Sequence, residues 1–143
     1  MSTRAALARV RTLYEGLTPE DVRRLGEFYT TAAYFRDPFN EVRGLAAIQR
    51  IFDHMFENLD DVRFVFRDEV VDGGGAFVSW DMGFRVRRWK AGGRIEVHGA
   101  SHLRFAPDGR VSYHRDYWDT GEELYARLPA IGPVIRYLRR RLA

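Results

Sequence analysis

Two aspartates and one histidine are the residues of this sequence best placed to move a proton. Asp37 follows Tyr34-Phe35-Arg36 and precedes Pro38-Phe39. A carboxylate among aromatic rings loses hydration, which favours its protonated form, so it can take and give a proton near neutrality. An aspartate ahead of a proline also suits a turn, where its side-chain oxygen accepts backbone N–H groups. Both readings stand for Asp37. His114 and Asp116 lie two residues apart in an alternating segment, so a strand puts them on one face. There they could share a substrate proton or hydrogen-bond each other. The structural alternative is a buried network in which Asp116 pairs with an arginine such as Arg36 or Arg104.

Other chemistries find no residues. The chain has no cysteine, which excludes disulfides, thiolate metal sites and a cysteine nucleophile. His98 and His102 share a strand parity, opposite to Val97 and Leu103. The strand rise separates them by about 13 Å, too far to ligate one metal. Gly73-Gly74-Gly75 is followed by neither a lysine nor a helix start, so it reads as a turn and not a phosphate loop. No G-x-S-x-G nucleophile elbow occurs. What remains is acid–base work by carboxylates and imidazole, with no metal and no cofactor.

Those side chains need elements to hold them. Leu7, Val10, Leu13, Tyr14 and Leu17 recur at helical spacing and predict a helix over 5–17. Thr18-Pro19-Glu20-Asp21 opens a second, with Thr as N-cap and proline in the first turn. It carries Val22, Leu25, Phe28, Tyr29 and Ala32 and ends before Tyr34. A third runs from Leu45 to Leu59. The period then changes to two. Strands are predicted over 63–71, 76–89, 94–105 and 111–118. Turns at Asp72-Gly73-Gly74-Gly75, Ala91-Gly92-Gly93 and Pro107-Asp108-Gly109 join them. Trp80, Met82 and Phe84 share one strand parity. With Phe52, Met55 and Phe56 of the third helix they read as core, and part of that surface lines any cavity. Strands this long bend, and Gly83 and Gly99 are the expected places. A final helix follows Thr120, interrupted near Pro129 and Pro133.

The pattern predicts the α+β class. The expected form is a cone-shaped α+β barrel, with three N-terminal helices packed on a curved antiparallel sheet, plus a C-terminal helix. The mouth of such a cone is where a small molecule would bind.

At 143 residues one domain is expected, with a core over 7–120 and a C-terminal helical extension over 121–143. Hydrophobic residues make up 45% and aromatic residues 14%, which excludes disorder for most of the chain. No apolar run reaches the roughly 20 residues of a membrane span, so a cytoplasmic location without membrane contact is expected. The net charge is only +3, and a nucleic-acid partner is not expected. The stripe Leu124, Leu128, Ile131, Ile135, Leu138 and Leu142 predicts a helix packed on the domain. Arg136, Arg139, Arg140 and Arg141 then sit in water.

The segment Glu27-Phe-Tyr-Thr-Thr-Ala-Ala-Tyr-Phe-Arg-Asp-Pro38, with Arg43-Gly44 opening a helix, resembles the nuclear transport factor 2-like superfamily. So does Ser101-His-Leu-Arg-Phe-Ala-Pro-Asp-Gly-Arg-Val-Ser-Tyr-His-Arg-Asp-Tyr-Trp118. That superfamily includes ketosteroid isomerase, SnoaL-type polyketide cyclases, scytalone dehydratase, limonene-epoxide hydrolase and many non-catalytic members. The likeness implies the cone fold and an apolar small-molecule ligand. By position, Asp37 sits where ketosteroid isomerase keeps its general base. The place of that enzyme's oxyanion aspartate is Ser101. The place of its oxyanion tyrosine falls near Val10, about one turn before Tyr14. The base is kept and the oxyanion pair is not, so the resemblance does not carry steroid isomerisation with it. In similar proteins the parity of Trp118 faces the cavity, which would turn His114 and Asp116 inward. A late-strand aspartate does acid–base work in the SnoaL-type cyclases. The outer sheet face often serves dimerisation in these folds, and here it is expected to carry Val111, Tyr113 and Tyr117.

Together these readings predict a small-molecule-binding SnoaL-like protein, a cofactor-independent isomerase, cyclase or dehydratase. Asp37, Asp116 and His114 are the catalytic candidates. Trp118, Trp80, Phe52, Tyr34 and Ser101 are the ligand-binding candidates. The alternative is a non-catalytic ligand-binding or protein-interaction module of the same fold. A homodimer through the outer sheet face is expected.

Overall fold

The structure, a computed structural model, describes residues 1–88, 92–123 and 132–142. Helix α1 (Thr3–Glu15) starts where the Ser2 side chain accepts the Ala5 amide at 3.1 Å. It buries Leu7, Val10, Leu13 and Tyr14 on one stripe. A 3₁₀ helix (Pro19–Glu27) follows and buries Val22 and Leu25. Strands β1 (Tyr29–Arg36) and β2 (Glu41–Arg43) form a short hairpin. Gly44, at φ 106° in a region that a side chain disfavours, turns the chain into α2 (Leu45–Asn58). Four long strands complete the sheet: β3 (Leu59–Asp72), β4 (Gly75–Val86), β5 (Ile95–Phe105) and β6 (Val111–Tyr117). Helices α3 (Thr120–Glu123) and α4 (Gly132–Leu142) end the described chain.

The six strands make one curved, unclosed sheet in the order β2-β1-β6-β5-β4-β3. The α+β class expected from the sequence is the observed one. Two details differ. The second helix stops at Glu27, and Tyr29 opens a strand. Tyr29, Thr30, Thr31, Tyr34 and Phe35 are β-branched or aromatic and fit a pleated surface better than a helix. The hairpin β1–β2 therefore sits among the three N-terminal helices, and β1 pairs with β6 in parallel. The sheet is mixed, not purely antiparallel.

The register shifts lie away from Gly83 and Gly99. Pairing of β4 with β5 runs without a register shift through Gly83 and Gly99. Shifts occur instead between Asp60 and Arg63, Phe66 and Glu69, and Arg104 and Phe105. Gly99 serves close approach: a Cβ there would lie 2.6 Å from the Trp80 ring. The Arg104/Phe105 shift pairs Phe105 with Val111 and Arg104 with Tyr113. One extra residue reverses the parity, because side chains alternate with period two. Val111, expected on the outer face, is thus fully buried in the core, while Tyr113 faces out.

The core is one cluster between α1, α2, the 3₁₀ helix and the concave sheet face. Helix α4 packs less than its stripe suggests. Ile135 is half-buried, whereas Leu138 and Leu142 are exposed. The expected turn residue Ala91 and the stripe residues Leu124, Leu128 and Ile131 lie outside the described residues.

Candidate functional site

The sheet and helices enclose a cavity of about 350 Å³. Its walls are largely apolar: Val10 and Tyr14 from α1, Phe52 and Met55 from α2, and Phe64, Phe66, Trp80 and Phe84 from the strands. Alternation explains the strand contribution, since Val78, Trp80, Met82 and Phe84 share one face. Phe39 and Trp118 meet edge-on at the rim, 5.7 Å apart, with Phe39 exposed.

Into this apolar wall the fold inserts a hydrogen-bonded chain of six side chains. Trp80 Nε1 donates to Ser101 Oγ at 2.8 Å. Ser101 Oγ donates to Asp116 Oδ1 at 2.5 Å. His114 Nε2 meets the same Oδ1 at 2.6 Å. On the other side of the ring, His114 Nδ1 meets the Tyr29 hydroxyl at 2.7 Å. Tyr29 in turn meets the Tyr14 hydroxyl at 2.6 Å. Register brings these together: Ser101 lies directly across from Asp116, and Trp80 reaches Ser101 over the bare Cα of Gly99. Among the described residues Ser101 and His114 are the two polar ones buried in the core, and no buried polar side-chain atom lacks a partner. Burial, above all, pushes the Tyr14 hydroxyl well above the usual tyrosine value, with the neighbouring Tyr29 and Asp116 adding to it. Tyr29 is raised the same way, chiefly by burial, against a smaller opposing pull from its Tyr14 hydrogen bond.

Among the described residues Asp116 does not join an arginine. Arg36 pairs with Glu41 at 3.4 Å, and Arg104 lies over the Tyr113 ring at 5.7 Å. Its hydrogen-bond partners are the Ser101 hydroxyl and the His114 imidazole.

Asp37 also lines the cavity, but its carboxylate is engaged in a turn. Oδ1 accepts the amides of Phe39 at 2.8 Å and Asn40 at 2.7 Å, and the Asn40 side chain at 3.1 Å. Oδ2 accepts the Asn40 side chain at 3.2 Å. The turn carries Phe39 to the rim.

Of the eight residues expected from the sequence, seven line the cavity: Asp37, Asp116, His114, Trp118, Trp80, Phe52 and Ser101. Tyr34 does not. Its ring stacks on Tyr113 at 5.1 Å, on the opposite sheet face, because it alternates with the buried Ala33 and Phe35. His98 and His102 are on that outer face as expected, against Asp81 and Phe77 respectively. Two members of the chain, Tyr14 and Tyr29, carry no role in the sequence reading. The available signal was that a buried tyrosine needs a partner for its hydroxyl. Among the described residues no group of three or more His, Asp or Glu side chains is placed to hold a metal ion. No described helix is long and apolar enough to cross a membrane.

Solved structures share this architecture at low identity, which establishes the fold alone. A Catenulispora acidiphila protein with a ketosteroid isomerase-like fold, solved with trimethylamine, superposes with TM-score 0.72 at 15% identity, over 86% of this chain and 92% of its own. A Jannaschia protein assigned as a SnoaL-like polyketide cyclase gives 0.70 at 15%, over 82% and 85%. An M. tuberculosis LEH-like epoxide hydrolase gives 0.69 at 13%, over 95% and 96%. No curated protein sequence matches the chain. The sequence model of the SnoaL-like domain matches residues 10–114, from Val10 in the middle of α1 to the buried histidine of β6; the chain belongs to the SnoaL-like domain family, within the nuclear transport factor 2-like superfamily.

Proposed function

We propose that this protein binds an apolar small molecule in the cone and moves a proton on it without a cofactor, as an isomerase, cyclase or dehydratase does. The observation that carries the reading is the placement of Asp116. Both of its protein donors, Ser101 and His114, fall on Oδ1, and Oδ2 accepts none among the described residues. A carboxylate held on one oxygen and open on the other is a general base with a fixed direction. His114 orients it and disperses its charge. Trp80, Phe52 and Trp118 form the apolar wall that excludes water. Asp37 is a second carboxylate on the same cavity, engaged in holding the rim turn. Neither nucleic acid nor membrane enters this reading.

A non-catalytic ligand carrier of the same fold is the second reading, and the engagement of Asp37 favours it. A screen of apolar ketones, lactones and alcohols by thermal shift identifies binders. Deuterium incorporation into a bound ligand, followed by NMR, then separates the two readings. Incorporation that Asp116→Asn abolishes supports the enzyme; tight binding with no exchange and no turnover supports the carrier.

We also propose a homodimer through the outer sheet face. Phe77 and Tyr117 are about half exposed there, beside the stacked rings of Tyr34 and Tyr113. Such an interface would bury about 1,200 Å² or more.

A further inference from the structure

The hydrogen-bonded chain behind the cavity wall has a direction, and the direction follows from which members can only donate or only accept. Trp80 Nε1 carries a hydrogen and no lone pair, so it donates to Ser101 Oγ. Ser101 then has one hydrogen left, and it goes to Asp116 Oδ1 at 2.5 Å. A second short contact on the same oxygen, from His114 Nε2 at 2.6 Å, fits an ionised carboxylate receiving another donor. In a neutral imidazole that hydrogen sits on Nε2, and Nδ1 is then a lone pair. With that tautomer Tyr29 donates to Nδ1, which leaves the Tyr29 oxygen to accept from Tyr14. Every hydrogen in the cluster is committed inward, to another member of the cluster. None is left to point at a ligand.

The inner site consequently offers a ligand only acceptors. Asp116 Oδ2 is the strongest of them. Among the described residues lining the cavity, the indole N–H of Trp118 and the Nε2 of the exposed His54 make no hydrogen bond, and neither belongs to the chain around Asp116. A carbonyl or ether oxygen lodged beside Asp116 would face a carboxylate with no compensating hydrogen, which costs affinity. A hydroxyl there satisfies both sides.

We propose that the cavity selects apolar ligands bearing a hydroxyl group, a phenol or an alcohol, and that this hydroxyl donates to Asp116 Oδ2. The inference rests on the proton-transfer reading above and narrows its substrate class. When Asp116 acts as base, the hydroxyl hydrogen passes to Oδ2 and the ligand oxygen keeps the electron pair of the broken O–H bond. That oxygen becomes a nucleophile, able to close a ring or add to an activated carbon. A hydroxyl oxygen as reacting atom needs no oxyanion donors, in keeping with serine at position 101 and no free tyrosine hydrogen.

Three probes of nearly one shape test this: 2-naphthol, its methyl ether and 2-acetonaphthone, titrated calorimetrically into the full chain. The wild type is expected to bind 2-naphthol about ten- to a hundredfold more tightly than either analogue, the worth of one hydrogen bond to a charged acceptor. In Asp116→Asn, whose amide brings hydrogens of its own, that preference should fall within about threefold. Equal or tighter binding of the ether or ketone by the wild type overturns the inference and leaves the cavity as a ligand site. A naphthol preference that persists in Asp116→Asn also overturns it. Binding of none of the three overturns both this inference and the proposed function. Nitrogen-15 shifts of His114 in the free wild-type protein give a reading independent of any variant. The Nε2–H tautomer is expected. The Nδ1–H tautomer would reverse both tyrosines, turn the Tyr14 hydrogen outward and overturn the donor account.

Discussion

The same sheet carries two histidine–aspartate pairs, one on each face. On the outer face His98 Nδ1 and Asp81 Oδ1 lie 2.5 Å apart, with the imidazole 64% exposed. On the inner face His114 Nε2 and Asp116 Oδ1 lie 2.6 Å apart, with the imidazole 4% exposed. The pairs differ in their company. Asp81 is also gripped by Arg67 at 2.7 Å. Its carboxyl is held below the usual aspartate range by the hydrogen bond from His98 first and by Arg67 next, and His98 is raised chiefly by its bond to Asp81. Among the described residues Asp116 meets no arginine or lysine; its partners are the His114 imidazole and the Ser101 hydroxyl. An aspartate bound to an arginine in water is a settled ion pair, worth little and screened by salt. An aspartate held on one oxygen by a hydroxyl and an imidazole in an apolar wall is fixed in position with its other oxygen open to the cavity.

Four experiments test the contrast between the two pairs. The largest effect is expected on turnover of an identified ligand. Asp116→Asn should lower it about 10²- to 10⁴-fold, the usual worth of a general base, while Asp81→Asn leaves it unchanged. Equal losses from both variants would mean that neither is the base. Asp37→Asn retains the Oδ1 acceptor of the rim turn and should cost only a few-fold; a loss as deep as that of Asp116→Asn would restore Asp37 to the acid–base pair.

The next effect is on stability. Tyr29→Phe removes the hydroxyl between His114 and Tyr14 and leaves two buried groups short of a partner. It should lower the unfolding free energy in urea by about 1–3 kcal/mol. Replacing His98 by Gln on the exposed face should shift the urea midpoint much less.

Association comes third. Phe77→Glu places a charge in the exposed aromatic patch and should shift sedimentation of a micromolar sample from dimer to monomer, without loss of fold by circular dichroism. A wild type already monomeric at that concentration would remove the dimer from the account.

The smallest effect is a pH dependence confined to the outer pair. His98 is raised in the folded chain above its usual 6.5, so its contribution is full below that pH and is lost as pH rises through the folded value. Asp81 is lowered below its usual 3.8, so its contribution is full above that pH and is lost as pH falls through the folded value. The stability difference between wild type and His98→Gln should therefore be widest between about pH 4 and 6.5 and vanish in alkali. A difference that grew in alkali would contradict the pairing.

Much of the site was legible because it is periodic. Two-residue spacing put His114 and Asp116 on one face, and the same spacing put Trp80 and Phe84 on the wall. Where periodicity was interrupted, legibility ended. The extra residue at Ser112 reversed the parity of Val111 and drew it into the core. Tyr29 sat on a stripe that fits a helix as well as a strand, and its place was decided by pairing with β6. Asp37 carried two readings, and the turn amides of Phe39 and Asn40 engaged it as a turn residue while leaving it on the cavity.

By itself, then, the sequence determined the element types outside the first hairpin, the α+β class, the apolar concave face and the parity of the late-strand pair. These follow from spacings of two and of three to four residues, which are local properties of a chain. The tertiary structure alone decided the partners. Tyr14 meets Tyr29 across 15 residues, Trp80 meets Ser101 across 21, and Tyr29 meets His114 across 85. A hydrogen bond depends on distances within a few tenths of an ångström between atoms that sequence spacing leaves free. Only the packed helices and the registered strands hold those atoms in place, and with them the direction in which each hydrogen points.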